Sequence, residues 1–170
     1  MTPGAAKAAA DVLIDMIQGE HQATCQTLAA VTEAGKTYKP DAKSRTPWDI
    51  ATHLATADVW FLDSIAKGAF AFDPEAQKRA VAAFTTAEDI VTFYKAAIPQ
   101  RLAALQALTG EHLATTINFG GFMQMPAVNF IGFANNHSVH HRGQLAASLR
   151  AIGAKVPNIY GPSADAEPAK

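Results

Sequence analysis

The sequence predicts an all-α protein, a four-helix bundle in which a long crossover connection joins the second helix to the third. Three observations carry that prediction. Apolar residues recur at helical threes and fours along four stretches, at about 5 to 34, 46 to 67, 86 to 108 and 126 to 152. Gly35, Gly68, Gly110 and Gly153 stand at the ends of those stretches, where helices commonly stop. The link between the second and third stretches is roughly 18 residues long, enough to cross a bundle and let the helices on either side run parallel.

Composition sets the frame. A chain of 170 residues that is 49% hydrophobic and 17% charged suits one domain with a sizeable core, read here as residues 1–161 followed by a C-terminal tail, 162–170. The net charge of −1 gives no basic footprint for nucleic acid and no polybasic anchor for a membrane. Met1 to Asp15 carries only Lys7 and is interrupted by Asp11 and Asp15, unlike a signal peptide, and no stretch is long enough to span a bilayer. The single cysteine, Cys25, has no internal disulfide partner and fits a reducing cytoplasm, the expected location.

The first helix, Ala5 to about Ala34, is rich in helix formers, with Val12, Ile17, Leu28 and Val31 on its periodic positions. His21 and Cys25 stand four apart along it, which favours a half-buried histidine above a small core thiol over a ligand pair. A loop follows around Pro40. Thr46 is a good N-cap for the second helix, with Pro47 in the first helical position and Asp49 in the first turn. Here His53 shares a face with Ile50, Ala57, Trp60, Phe61 and Ser64, and so looks into the core. Taken alone, a histidine on an apolar face is more often a core residue than a ligand.

Residues 69–84 read as a long connection with a short helical piece near Asp73-Pro74-Glu75. The third helix opens at Thr85 and Glu88, which have capping-box spacing, and Pro99 is expected to kink it. From Glu111 to Gln124 an extended excursion or short hairpin is expected, with His112 exposed in it. Met125-Pro126 opens the fourth helix, which Gly153 and Pro157 end.

That fourth helix holds Asn135-Asn136-His137-Ser138-Val139-His140-His141-Arg142-Gly143-Gln144-Leu145, three of the six histidines of the chain. His137 and His141 are one turn apart on one face, close enough for both imidazoles to reach one metal ion. Phe130, Ala134, Gln144, Leu145 and Ser148 share that face, whereas Val139, Arg142, Ala146 and Arg150 point the other way. The carboxylates offer no general base at a diagnostic spacing; Asp49 and Asp58 read as a first-turn charge and a surface charge.

His53 on the second helix, then His137-x3-His141-Arg142-Gly143-Gln144-Leu145, then Gly153-x3-Pro157-x2-Tyr160-Gly161 resembles the DinB family of DinB/YfiT-like metalloenzymes. The resemblance covers nearly the whole chain. It implies a four-helix bundle with a long crossover and a divalent metal, zinc or nickel by ligand type, held by His53, His137 and His141. His140 is rotated off that face and is placed at the rim or at a subunit contact. Gln144 or Ser148 would support the ligands from behind. Arg142 and Gly143 match the motif without an assigned role, and Gly143 is read as allowing close helix approach.

Three imidazoles with an open position have the ligand count of a catalytic centre. The resemblance implies a metal-dependent enzyme acting on a small molecule, a transferase that uses a low-molecular-weight thiol ahead of a hydrolase. The alternative is a non-catalytic bundle or binding module that metal, or merely hydrogen-bonded histidines, stabilises. Trp60, Phe61 and Phe130 would give the pocket apolar walls. Metal affinity is expected to fall as pH drops through the histidine range near 6.5. A homodimer is expected as well, with no nucleic-acid or membrane partner.

Overall fold

A computed structural model describes residues 1–166. Four long helices form the bundle expected: α1 (Pro3–Ala29), α2 (Pro47–Lys67), α4 (Ala87–Gln106) and α6 (Ala127–Ala151), with short helices α3 (Pro74–Ala82) and α5 (Gly110–Ala114) and one hairpin between them. Among the described residues, no helix is long and apolar enough to cross a membrane.

The ends of the elements follow from local chemistry. Helix α1 stops at Ala29 rather than Ala34, and the chain passes into a 3₁₀ turn, Glu33–Lys36. Gly35 lies buried in that turn instead of capping a helix; a Cβ there would sit 3.2 Å from the Cβ of Pro47. Thr46 and Asp49 form a capping box on α2, the Thr46 hydroxyl accepting from the Asp49 N–H at 3.0 Å. Gly68 ends α2 in the left-handed conformation, φ +71°.

The box on α4 is Thr86 with Asp89, one residue later than the sequence predicts. Asp89 also accepts the backbone N–H and the hydroxyl of Thr85, so one carboxylate gathers the donors that the reading assigned to Glu88. Pro99 lies inside α4, which continues to Gln106. Gly110 does not end that helix. It opens α5, which Thr109 caps, and the hairpin β1 (Thr116–Phe119) and β2 (Met123–Pro126) follows in antiparallel register, Ile117 opposite Met125.

Paired residues give the helix directions. Asp58 meets Tyr94 and Asp63 meets Arg101, so α2 and α4 run parallel. Helices α2 and α6 run antiparallel, since Phe61 packs on Phe133 and His53 on His141. Lys7 reaches the Gln106 carbonyl while His21 stacks on Tyr94, so α1 opposes α4. Because α1 and α2 each pack on both α4 and α6, they lie across the diagonal. The order is therefore up, down, down, up, and the connection after α2 must return along the bundle. It does so beside α2, with Trp60 Nε1 donating to the Ala71 carbonyl at 2.8 Å and Gln77 reaching back to Thr56. One end of the bundle thus gathers the end of α1, the starts of α2 and α4, and the last turns of α6.

Candidate metal centre

At that end the antiparallel pairing of α2 and α6 brings His53, His137 and His141 together. One ring nitrogen from each lies within 4.8 Å of the others, and the ring centroids are 4.4 to 5.2 Å apart. All three side chains are half-buried. Among the described residues no other group of three His, Cys, Asp or Glu is placed to share an ion.

The electrostatics suit a cation ligand set. Burial, then the nearby Arg45 and the other two imidazoles, push the His53 pKa down to about 3. Burial and His137 push His141 down to about 4, although its bond to Gln144 opposes the shift. Both rings are therefore neutral over the ordinary pH range, with lone pairs available. His141 Nδ1 is 2.8 Å from Gln144 Oε1, so that nitrogen carries the proton and Nε2 is left free. Gln144 thus sits where the sequence placed a supporting residue. Three imidazoles, mutually close and one of them, His141, held from behind, fit a divalent first-row ion.

A cavity of about 560 Å³ opens on the cluster, lined by His53, His141, Gln144 and Ser148 and by Pro40, Lys43, Ser44 and Arg45 from the loop before α2. This corrects the expected aromatic walls. Only Phe61 touches the site, its ring 5.1 Å from that of His137, while Trp60 and Phe130 join Phe70 and Phe119 in an aromatic cluster to one side. The walls mix the apolar Pro40, Ile50 and Ala147 with polar residues, and their charges, on Lys43 and Arg45, are positive.

The remaining histidines stand apart. His140 is exposed at the rim, 5.1 Å from the His141 ring. His112 is half-buried rather than exposed, its Nε2 2.9 Å from the Ile65 carbonyl. Cys25 is buried, with Sγ 3.8 Å from His21 Nε2, as the core reading has it.

Two charged residues depart from their expected places. Asp58 is 5% exposed, accepts the Tyr94 hydroxyl at 2.8 Å, and turns its other oxygen toward His137, 4.0 Å from Nδ1. It is not a surface charge. The signal was present: Asp58 falls on the stripe Leu54, Phe61, Leu62 and Ile65, all buried. Arg142 is 1% exposed and packs against α1, its guanidinium donating to the Glu20 carbonyl and carboxylate, Thr24 and the Tyr160 hydroxyl. It therefore ties the segment after α6 back to α1. Gly143 is exposed, and an added Cβ would meet no atom within 4 Å, so it serves no close helix approach.

Comparison with known proteins gives the chain a family and relatives of the same fold. Residues 6–169 match the description of the DinB family. Over 80 residues the chain is 39% identical to the uncharacterized protein YrdA of Bacillus subtilis (strain 168), a match spanning 46% of this chain and about half, 47%, of that protein. The fold is similar to the crystal structure of a DinB-like protein from Bacillus cereus ATCC 10987, at 26% identity and TM-score 0.70, covering 87% of this chain and 95% of that one. It is similar also to the DinB-like protein YjoA of Bacillus subtilis, at 19% identity, TM-score 0.67 and 89% and 99% coverage. A mutant of mycothiol-dependent maleylpyruvate isomerase shares the fold at 11% identity and TM-score 0.55, over 85% of this chain and 61% of that one.

Proposed function

This chain belongs to the DinB family, and on that premise we propose that it is a cytoplasmic metal-dependent enzyme acting on a small molecule, a thiol transferase ahead of a hydrolase. One observation carries the reading: three imidazoles have ligand atoms within 4.8 Å of one another, and two of them, His53 and His141, line an open cavity. The likeness to an isomerase whose name includes mycothiol supports a thiol as the first substrate. His53, His137 and His141 would hold a divalent ion, which would supply Lewis acidity to lower the pKa of a bound thiol or water.

The chain's own groups do the rest. Lys43 and Arg45 at the mouth attract an anionic substrate and hold it over the histidines. Gln144 fixes the His141 ring, and Phe61 keeps water off the inner side of His137. In the transfer a carbon–sulfur bond forms to an electrophilic carbon, the bond from that carbon to its leaving group breaks, and the thiol proton is released. The test is to measure the metal in freshly purified protein and then to screen low-molecular-weight thiols with electrophiles, with and without chelator. Chelator-sensitive loss of free thiol is the expected result. Turnover of esters or amides without thiol would favour the hydrolase, and a loaded protein inert to both would make the metal a structural one.

A further inference from the structure

We propose that Asp58 is a positioning residue for His137: its carboxylate accepts the Nδ1–H of that imidazole and so fixes the tautomer whose Nε2 lone pair faces His53 and His141. The inference starts from two buried polar atoms. Among the described residues Asp58 Oδ1 and His137 Nδ1 have no hydrogen-bond partner, and they face each other at 4.0 Å. That separation is about 1 Å beyond a hydrogen bond. Two bonds of about 2.8 Å meeting at a tetrahedral water would hold the atoms about 4.6 Å apart, so the pair stands closer than a water bridge sets it, and a rotation of the ring by about 1 Å at Nδ1 makes the bond direct. Leaving both buried atoms unpaired forfeits their hydration without return, which a direct bond avoids.

The carboxylate is itself held. Its Oδ2 accepts the hydroxyl of Tyr94, which is 2% exposed and has Ser138 and Thr24 close by. Thr24 in turn accepts from Arg142. A buried polar chain therefore runs from α1 through α4 and α2 to the histidine on α6. His141 has an acceptor on the same nitrogen, Gln144 Oε1 at 2.8 Å from its Nδ1. In each ring a fixed acceptor takes Nδ1 and frees Nε2, as supporting partners of metal-ligating histidines commonly do.

Asparagine separates positioning from packing. In Asp58→Asn the side-chain carbonyl keeps the Tyr94 bond, but an NH₂ group now faces Nδ1 and cannot accept from it. The ring then protonates at Nε2 and loses the lone pair directed at the cluster. Imidazole ¹⁵N spectra of metal-free protein at about pH 8.5, well above the ordinary histidine value, read the tautomer directly. We expect Nδ1–H at His137 in the parent, Nε2–H in Asp58→Asn, and an unchanged His141 in both. Affinity for Zn²⁺ or Ni²⁺ should fall about 10–100-fold in Asp58→Asn while its circular dichroism stays that of the parent. Tyr94→Phe, which frees one carboxylate oxygen, should give a smaller loss. A parent His137 protonated at Nε2, a tautomer indifferent to Asp58→Asn, or an affinity unchanged after the tautomer has flipped would each overturn the proposal. The spectra need no metal, so if parent and variant both fail to bind an ion while the tautomer flips, the positioning stands and the metal reading fails.

Discussion

Alanine at His53, His137 or His141, one at a time, should remove bound metal from the purified protein, because two imidazoles left at a three-ligand site hold a divalent ion far more weakly than three. His140→Ala is the matched control, being exposed at the rim. His112 is a poor one, since its bond to the Ile65 carbonyl means that alanine there costs stability for reasons unrelated to metal. Full metal occupancy in His53→Ala would show that α2 contributes no ligand. The same residues set a pH dependence in the metal-free protein. His53 and His141 protonate only near about 3 and about 4 when folded, but near 6.5 when unfolded. Between those values the unfolded state binds protons that the folded state does not, so stability is full above pH 6.5 and is lost as pH falls toward 4. Urea midpoints should be lower at pH 5 than at pH 7, and a His53→Ala/His141→Ala double variant should narrow the difference; an equal difference would rule out these two rings as its source. At this scale the pairing of His137 with His141 was legible from helical spacing, whereas His53, which alone reads as a core histidine, joined them only through the resemblance to the DinB family. The burial of Asp58 was signalled by its place on an apolar stripe, but its partner Tyr94, like the partner Glu20 of Arg142, lies on another helix and was not legible.

Two glycines measure how the elements fit together. An added Cβ on Gly110 would lie 2.3 Å from the Pro3 carbonyl oxygen, so the start of α5 packs directly on the backbone at the start of α1. Gly110→Ala must push one helix off the other, and we expect a loss of about 1–3 kcal/mol, as for an overpacked core. Gly143 is the opposite case. It lies inside α6 with free space around it, so Gly143→Ala should raise stability by about 0.5–1 kcal/mol through helix propensity alone. Chemical denaturation of the two variants beside the parent gives both signs in one experiment, and a destabilised Gly143→Ala would mean that the motif glycine has a packing role these contacts do not reveal. Caps written in a few adjacent residues, Thr46 with Asp49 and Gly153 at φ +72°, were legible in the sequence. The early end of α1 and the existence of α5 were not, because each depends on a contact with a distant segment, Gly35 with Pro47 and Gly110 with Pro3.

The order of the bundle places the three histidines that could hold a metal on two antiparallel helices separated in sequence by most of the domain, so an ion there would tie α2 to α6. The long connection made the parallel pairing of α2 and α4 foreseeable from its length, whereas the diagonal placement of α1 and α2 depends on side-chain packing that no single stretch encodes. We also propose a homodimer: α1 leaves Val12 and Met16 61% and 51% exposed one turn apart, and light scattering should read twice 18.0 kDa. A species of 18.0 kDa alone at micromolar concentration would refute it. The cross-link between α2 and α6 makes the sharpest prediction for the whole molecule. An ion that binds the folded chain and not the unfolded one adds about 2.7 kcal/mol at a free concentration a hundredfold above its dissociation constant. For a domain of this size each kcal/mol moves the melting midpoint by about 2–4 °C. Stripping the metal with a chelator should therefore lower the midpoint by about 5–10 °C, restored by adding the ion back. His53→Ala should melt near the stripped parent and respond little to either treatment. A chelator-insensitive midpoint in protein shown to carry metal would place the ion somewhere other than between α2 and α6.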